Sequence, residues 1–99
     1  MKLSKAEQEM RDFEVVFKAL AHRSRRHVLS VLNARGGHMT AGEIADRFSC
    51  SWPTTSRHLR TLQDAGLVTV EQQGREWMYS IDRDRLMKVA GGWLEFFGT

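Results

Sequence analysis

The apolar residues of this 99-residue chain change their spacing twice, and those changes limit the possible folds more than anything else in the sequence. Up to Ala65 they recur every three or four positions. From Leu67 to Ile81 they alternate. From Asp82 onward the helical spacing returns. The chain therefore reads as a run of helices, one β-hairpin and a closing helix. Hydrophobic residues make up 41% of it, enough apolar surface to oppose chain entropy, which excludes disorder as the main state. No apolar run approaches the length of about 18 residues that a membrane span needs.

Phe13, Val16, Phe17 and Leu20 recur at i, i+3, i+4 and i+7, which predicts a first helix over roughly residues 6–21. His22 or Ser24 starts a second helix that buries Val28, Leu29, Val31 and Leu32, and Gly36-Gly37 ends it. Thr40 and Glu43 form a capping-box pattern for a short third helix with Ile44, Ala45 and Phe48 inward. After a turn at Ser49-Cys50, Ser51 caps a fourth helix, with Pro53 in its first turn and Thr55, Leu59 and Leu62 on its buried face. Gly66 closes that helix. Two strands, Leu67 to Glu71 and Glu76 to Ile81, follow around a tip of Gln72-Gln73-Gly74-Arg75. Asp82 caps the last helix.

A short helix, a tight turn and a second helix make a helix-turn-helix, and a hairpin directly after it makes the unit winged. The expected architecture is mainly α: about five helices plus two strands in one winged helix-turn-helix domain over residues 1–99. Residues 1–11 form a polar extension, without the apolar core of a signal peptide. Charge supports a polyanion partner. Residues 15–63 carry eight basic and two acidic side chains, a net of +6, while 1–14 and 64–99 carry −1 and −2.

The runs Ala19-Leu20-Ala21-His22-Arg23-Ser24-Arg25-Arg26-His27-Val28-Leu29, Gly42-Glu43-Ile44-Ala45, Ser51-Trp52-Pro53-Thr54-Thr55-Ser56-Arg57-His58-Leu59-Arg60 and Asp64-Ala65-Gly66-Leu67-Val68 closely resemble the ArsR/SmtB family of bacterial winged-helix repressors. The resemblance covers about residues 12–97. It implies a homodimer that binds operator DNA, often its own promoter, and releases it when an effector arrives. Metal-sensing members carry a Cys-x-Cys-type pair on the short helix before the turn; here Ala41 to Phe48 hold no thiol. Others place ligands on the last helix; here Asp82 and Asp84 are present, but no histidine follows His58. His22-Arg23 stands where the family has Asp-Pro. The ending Gly91-Gly92-Trp93-Leu94-Glu95-Phe96-Phe97 resembles the metal-free subgroup.

The fourth helix, with its buried face fixed, turns Thr54, Arg57, Arg60 and Thr61 outward and carries Trp52, Pro53 and Ser56 near its leading end. A helix fits the major groove with its N-terminal residues at the base edges. Arg57 is expected to fork onto a guanine or a phosphate, Trp52, Thr54 and Ser56 to touch base edges, and Arg60 to meet phosphate. Arg23, Arg25 and Arg26 are candidates for backbone contacts, as are Gln72, Gln73 and Arg75 at the wing. His58 is expected to face the core and be hydrogen-bonded.

The last helix, residues 82–97, is apolar over more than one stripe. Leu86, Val89, Ala90, Trp93 and Phe97, with Phe13, Val16, Phe17 and Leu20, are expected to meet a second copy about a two-fold axis, with Met87, Leu94 and Phe96 beyond. Two reading helices would then lie about 34 Å apart on an inverted repeat. No phosphate loop, paired catalytic carboxylates or nucleophile motif is present; Ser24, Ser51 and Ser56 read as capping or contact residues, and neither enzyme chemistry nor a cofactor is expected. A bacterial cytoplasmic, nucleoid-associated protein is the default. Two other readings stay open. Cys50, near Arg47 in the turn, or a metal held by His22, His27, His38 and His58 could make the regulator redox- or metal-responsive. Alternatively, the fold could serve only as a protein–protein module.

Overall fold

Ser4 starts the first helix: its hydroxyl accepts the Glu7 amide, satisfying a backbone donor that has no partner within the helix. The computed structural model describes residues 2–98. In chain order it forms α1 (Lys5–Leu20), α2 (Arg23–Ala34), β1 (His38–Thr40), α3 (Ala41–Arg47), α4 (Trp52–Asp64), β2 (Val68–Gln73) and β3 (Glu76–Ile81). A C-terminal helix follows without a break, as α5 (Arg83–Leu86), a π-helical stretch (Met87–Gly91) and α6 (Gly92–Phe96).

Local chemistry sets the boundaries. His22 caps α2 through its ring, with Nδ1 accepting the Ser24 amide at 3.1 Å. Thr40 and Glu43 bond reciprocally to close the capping box of α3, and these bonds hold the Glu43 carboxyl below its usual pKa. Ser51 sits at the cap of α4, but its hydroxyl donates to Thr54 Oγ1 at 3.1 Å instead of accepting an amide. Asp82 accepts the Arg85 amide. Helix α4 ends in a left-handed turn at Gly66, φ 78°, where the amides of Leu67 and Gly66 donate to Leu62 and Gln63 carbonyls at 3.0 and 2.9 Å.

The three strands form an antiparallel sheet in the order β1-β3-β2. Val68 pairs with Ile81 and Val70 with Tyr79, in keeping with the alternation, and the ladder runs on to Gln72 with Trp77. One face of the sheet lies under the helices. The centre holds Val16, Leu32, Met39, Ile44, Leu59, Leu62, Leu67 and Val68, all essentially without solvent contact.

Five features differ from the sequence reading. There is a third strand, β1; three residues are too few to show alternation, yet Met39 is buried opposite Tyr79. The hairpin tip is tighter than expected, because Gln72 and Gln73 are in β2 and only Gly74-Arg75 turn the chain. Ala45 faces solvent, since a two-turn helix inserts little beyond Ile44 and half-buried Phe48. The C-terminal helix is not uniformly α; the π-helical stretch ends at Gly91, beside Gly92, where helix propensity is lowest. Finally, Val16, Val89 and Ala90 belong to the core of the single chain, so they support the expected dimer face from beneath.

The C-terminal helix is tied down by two arginines. Arg83 donates to the side chain and carbonyl of Asn33 on α2. Arg85 reaches the Ala65 carbonyl at the end of α4 and Asp12 on α1, each at 3.3 Å. Leu62→Ala, at the centre of the core, is expected to lower the unfolding free energy by about 2–5 kcal/mol. Urea denaturation followed by circular dichroism checks this, with the midpoint falling and the slope unchanged.

Candidate nucleic-acid interface

The four residues 48–51 separate α3 from α4 and set the two helices as a helix-turn-helix. Thr55, Leu59 and Leu62 anchor α4 in the core. That fixes its rotation and leaves Arg57 and Arg60 exposed, Trp52 39% exposed, and Thr54 and Ser56 half-buried along the outer side. Pro53 sits in the first turn, where its missing N–H leaves no bond unmade. Arg60 pairs with Asp64 at 3.1 Å, but both side chains are largely exposed, so the pair is readily exchanged for a phosphate. The ion pairs among the described residues engage Arg60 and Arg85, not Arg57.

The three arginines opening α2 divide by role. Arg25 donates from Nε to the Ala19 carbonyl at 2.7 Å and from Nη2 to the Lys18 carbonyl at 3.1 Å. Its Nη1 lies 3.5 Å from His58 Nδ1. It thus caps the carbonyl end of α1 from a half-buried position, which ties up more of its donors than those of Arg23 or Arg26. Arg26 donates from Nη1 to the Leu20 carbonyl at 2.8 Å and otherwise stays exposed. Arg23 is fully on the surface.

His58 faces inward, as expected from its place on α4. Its ring lies 4.4 Å from the His22 ring, a contact that joins the start of α2 to the reading helix. Burial holds the His58 pKa below the ordinary 6.5, and the charges of His22, Arg25 and Arg57 push the same way. His27 instead packs edge-on against Phe48 at 4.9 Å. Among the described residues no three His, Cys, Asp or Glu side chains gather as a metal site requires. Cys50 is an exposed free thiol in the turn. It borders a cavity of about 220 Å³ shared with Ser24, His27, Arg47, Thr55 and His58.

At the wing, Gln72, Gln73 and Arg75 are exposed. Trp77, which the alternation places on the core-facing side, is 49% exposed. The hairpin outruns the body of the protein, because β1 pairs with β3 only at Met78, Tyr79 and Ser80. Strand length relative to β1 was the missing signal, and β1 is too short to read from sequence. Away from the helix-turn-helix, Phe17, Trp93 and Phe97 stack edge-on in series at 5.2 and 4.9 Å. Beside them is an apolar groove of about 510 Å³ lined by Met10, Phe13, Glu14, Phe17 and Trp93. Leu20 and Leu86 are half-buried.

An arginine-bearing helix held outward by a capped short helix and flanked by a hairpin is the apparatus of a winged helix-turn-helix DNA-binding protein. A family model described as a helix-turn-helix domain matches residues 20–71. The chain is 37% identical over 81 residues to the transcriptional repressor SdpR of Bacillus subtilis (strain 168), covering 82% of this chain and 88% of that one. It is 30% identical over 76 residues to the arsenical resistance operon repressor of Staphylococcus xylosus, covering 77% and 71%. Among solved structures, an ArsR-like transcriptional regulator from Rhodococcus sp. RHA1 superposes with a TM-score of 0.76 at 32% identity, covering 90% of this chain and 81% of that one. The chain belongs to the ArsR family of helix-turn-helix transcriptional regulators. It is a DNA-binding regulator and not an enzyme.

The lowered pKa of His58 gives a pH dependence with a definite sign. Between the folded value and 6.5 the unfolded chain binds this proton and the folded chain does not, so stability rises with pH across that window. The thermal midpoint is expected to fall as pH drops below about 6.5. His58→Gln should flatten that limb of the profile, which calorimetry across the range checks.

Proposed function

We propose that this chain is a dimeric repressor that occupies an inverted-repeat operator and excludes transcription from the promoter beneath it. The observation that carries this reading is the outer face of α4. Arg57 lies there outside every ion pair among the described residues, between Trp52 and Arg60, in the most basic stretch of the sequence. Arg57, Trp52, Thr54 and Ser56 read base edges in the major groove, and Arg60 takes a phosphate. Arg23 and the free nitrogens of Arg26 hold the backbone, and Arg75 reaches it from the wing tip. Repression as the outcome is supported by the likeness to SdpR, named as a repressor.

The dimer reading rests on apolar surface. Met10, Leu94, Phe96 and Phe97 are each 61–79% exposed, and Trp93 43%. Met10 and Trp93 line the groove with Phe13 and Phe17, Phe97 packs on Trp93 and Phe96 on Phe97, and exposed patches of this kind mark interfaces. A second copy contributes the same elements about a two-fold axis, with Leu20 and Leu86 at the margin and Val16, Val89 and Ala90 as the floor. The protein acts in the cytoplasm, on the nucleoid. We place it among family members without the thiolate metal site, because α3 carries no cysteine and the lone thiol lies in the turn after it.

Arg57→Ala is expected to weaken operator binding by about 1–3 kcal/mol and relax the preference at one base pair. An unchanged sequence profile in a selection from random duplexes would make another residue the reader. With about six phosphates neutralised, affinity should fall by about three decades between about 50 and 200 mM salt. Trp93→Asp should give monomers in sedimentation and lose tight operator binding; a monomeric parent protein would refute the interface.

A further inference from the structure

The wing is two-sided in charge, and its sides are fixed by the strand register. Beyond the last β1 pair the hairpin carries two further cross-strand pairs, Gln72 with Trp77 and Gln73 with Glu76. Side chains alternate across a sheet. Gln72 and Trp77 therefore continue the face that carries Val68, Val70, Tyr79 and Ile81, the face packed under the helices. Gln73, Glu76 and Glu71 lie on the opposite face. Both carboxylates of the wing thus lie on one side, and its neutral amide and indole lie on the side turned toward the helix-turn-helix. Arg75 sits at the tip between them.

We propose that Trp77, with Gln72 opposite it, is a DNA contact, seated against the sugars and groove edge of duplex flanking the site read by α4. This rests on the DNA-binding reading of α4. A polyanion repels the face bearing Glu71 and Glu76 and accepts the other, so the wing docks in one orientation. Trp77 leaves half its indole in water in the free protein, and covering it against deoxyribose recovers that apolar area. The indole N–H donates to a phosphate or base-edge acceptor, and the Gln72 amide offers both donors and an acceptor. Gln73, on the carboxylate side, is turned away from the duplex in this arrangement.

The test compares the full-length protein with Trp77→Ala, Trp77→Phe and Arg57→Ala variants. Each is titrated against a long operator duplex and one trimmed to the base pairs under the α4 helices. Trp77→Ala should weaken binding to the long duplex by about tenfold, the size expected for losing half a buried indole. Trp77→Phe should restore part of the loss. On the trimmed duplex Trp77→Ala should match the parent protein, and its thermal midpoint should be unchanged. Equal losses on both duplexes, with a lowered midpoint, would make Trp77 structural and overturn the proposal. Parent-like affinity of Trp77→Ala for the long duplex would overturn it as well. If Arg57→Ala binds like the parent while Trp77→Ala does not, the reading of α4 fails and the wing contact stands.

Discussion

The left-handed turn at Gly66 is the constraint from which the rest of this molecule follows. It ends α4 and starts β2 within three residues, so it fixes the angle between the reading helix and the wing. Leu62 and Leu67, the pair bracketing it, are both buried, which locks the turn to the core. Only glycine fits comfortably, since φ is 78° and a Cβ would lie 3.1 Å from Arg85 Nε. Arg85 covers the turn, donates to the Ala65 carbonyl and extends to Asp12. One side chain therefore joins the end of the DNA-reading helix to α1 and to the C-terminal helix, the two elements that form the proposed dimer face. In the proposed operator-bound dimer that face would set the distance between the two α4 helices, and this junction would carry it to α4.

A second consequence concerns charge. The sequence places a net of +6 between residues 15 and 63, but not all of it faces outward. Arg25 is spent on helix carbonyls, where a guanidinium satisfies acceptors that the helix leaves open. By touching His58 it also helps keep that imidazole neutral. What remains for a polyanion is a smaller, better-defined set on α4, at the start of α2 and at the wing tip.

The helices and most of their caps were legible because each has a local cause, although the Ser4 cap of α1 was not read and Ser51 makes no capping bond. Thr40 with Glu43, Gly36-Gly37, Gly66 and Asp82 act within three or four residues of the ends they mark. The buried face of α4 was legible for the same reason, and with it the outward direction of Arg57 and Arg60. What was not legible depends on partners distant in sequence. Strand β1 exists because Met39 finds Tyr79, some forty residues on. The commitment of Arg25 depends on where α1 ends in space. Val16, Val89 and Ala90 read as surface-seeking because periodicity gives a stripe without saying whether its cover comes from the same chain or another.

The exposed tryptophans show how these levels combine. Indoles are costly to leave in water, and this chain leaves three of them partly there: Trp52, Trp77 and Trp93. Sequence spacing assigns Trp93 to the wide apolar face of the last helix, expected to meet a second copy, and Trp77 to an apolar strand face that pattern alone would place in the core. Burial separates them from the core, and neighbours then separate them from each other. Trp93 stands among Phe17, Phe96 and Phe97, beside a groove with little polar character, which suits a second apolar surface. Trp77 stands opposite an amide, with carboxylates confined to the reverse side of its hairpin, which suits a ligand that is anionic overall and apolar only along its sugar edges. Trp52 opens a helix whose outer side carries Arg57 and Arg60. On the proposed reading the same residue type serves protein contact at one end of the chain and nucleic-acid contact at the other two positions, and the charge around each distinguishes them.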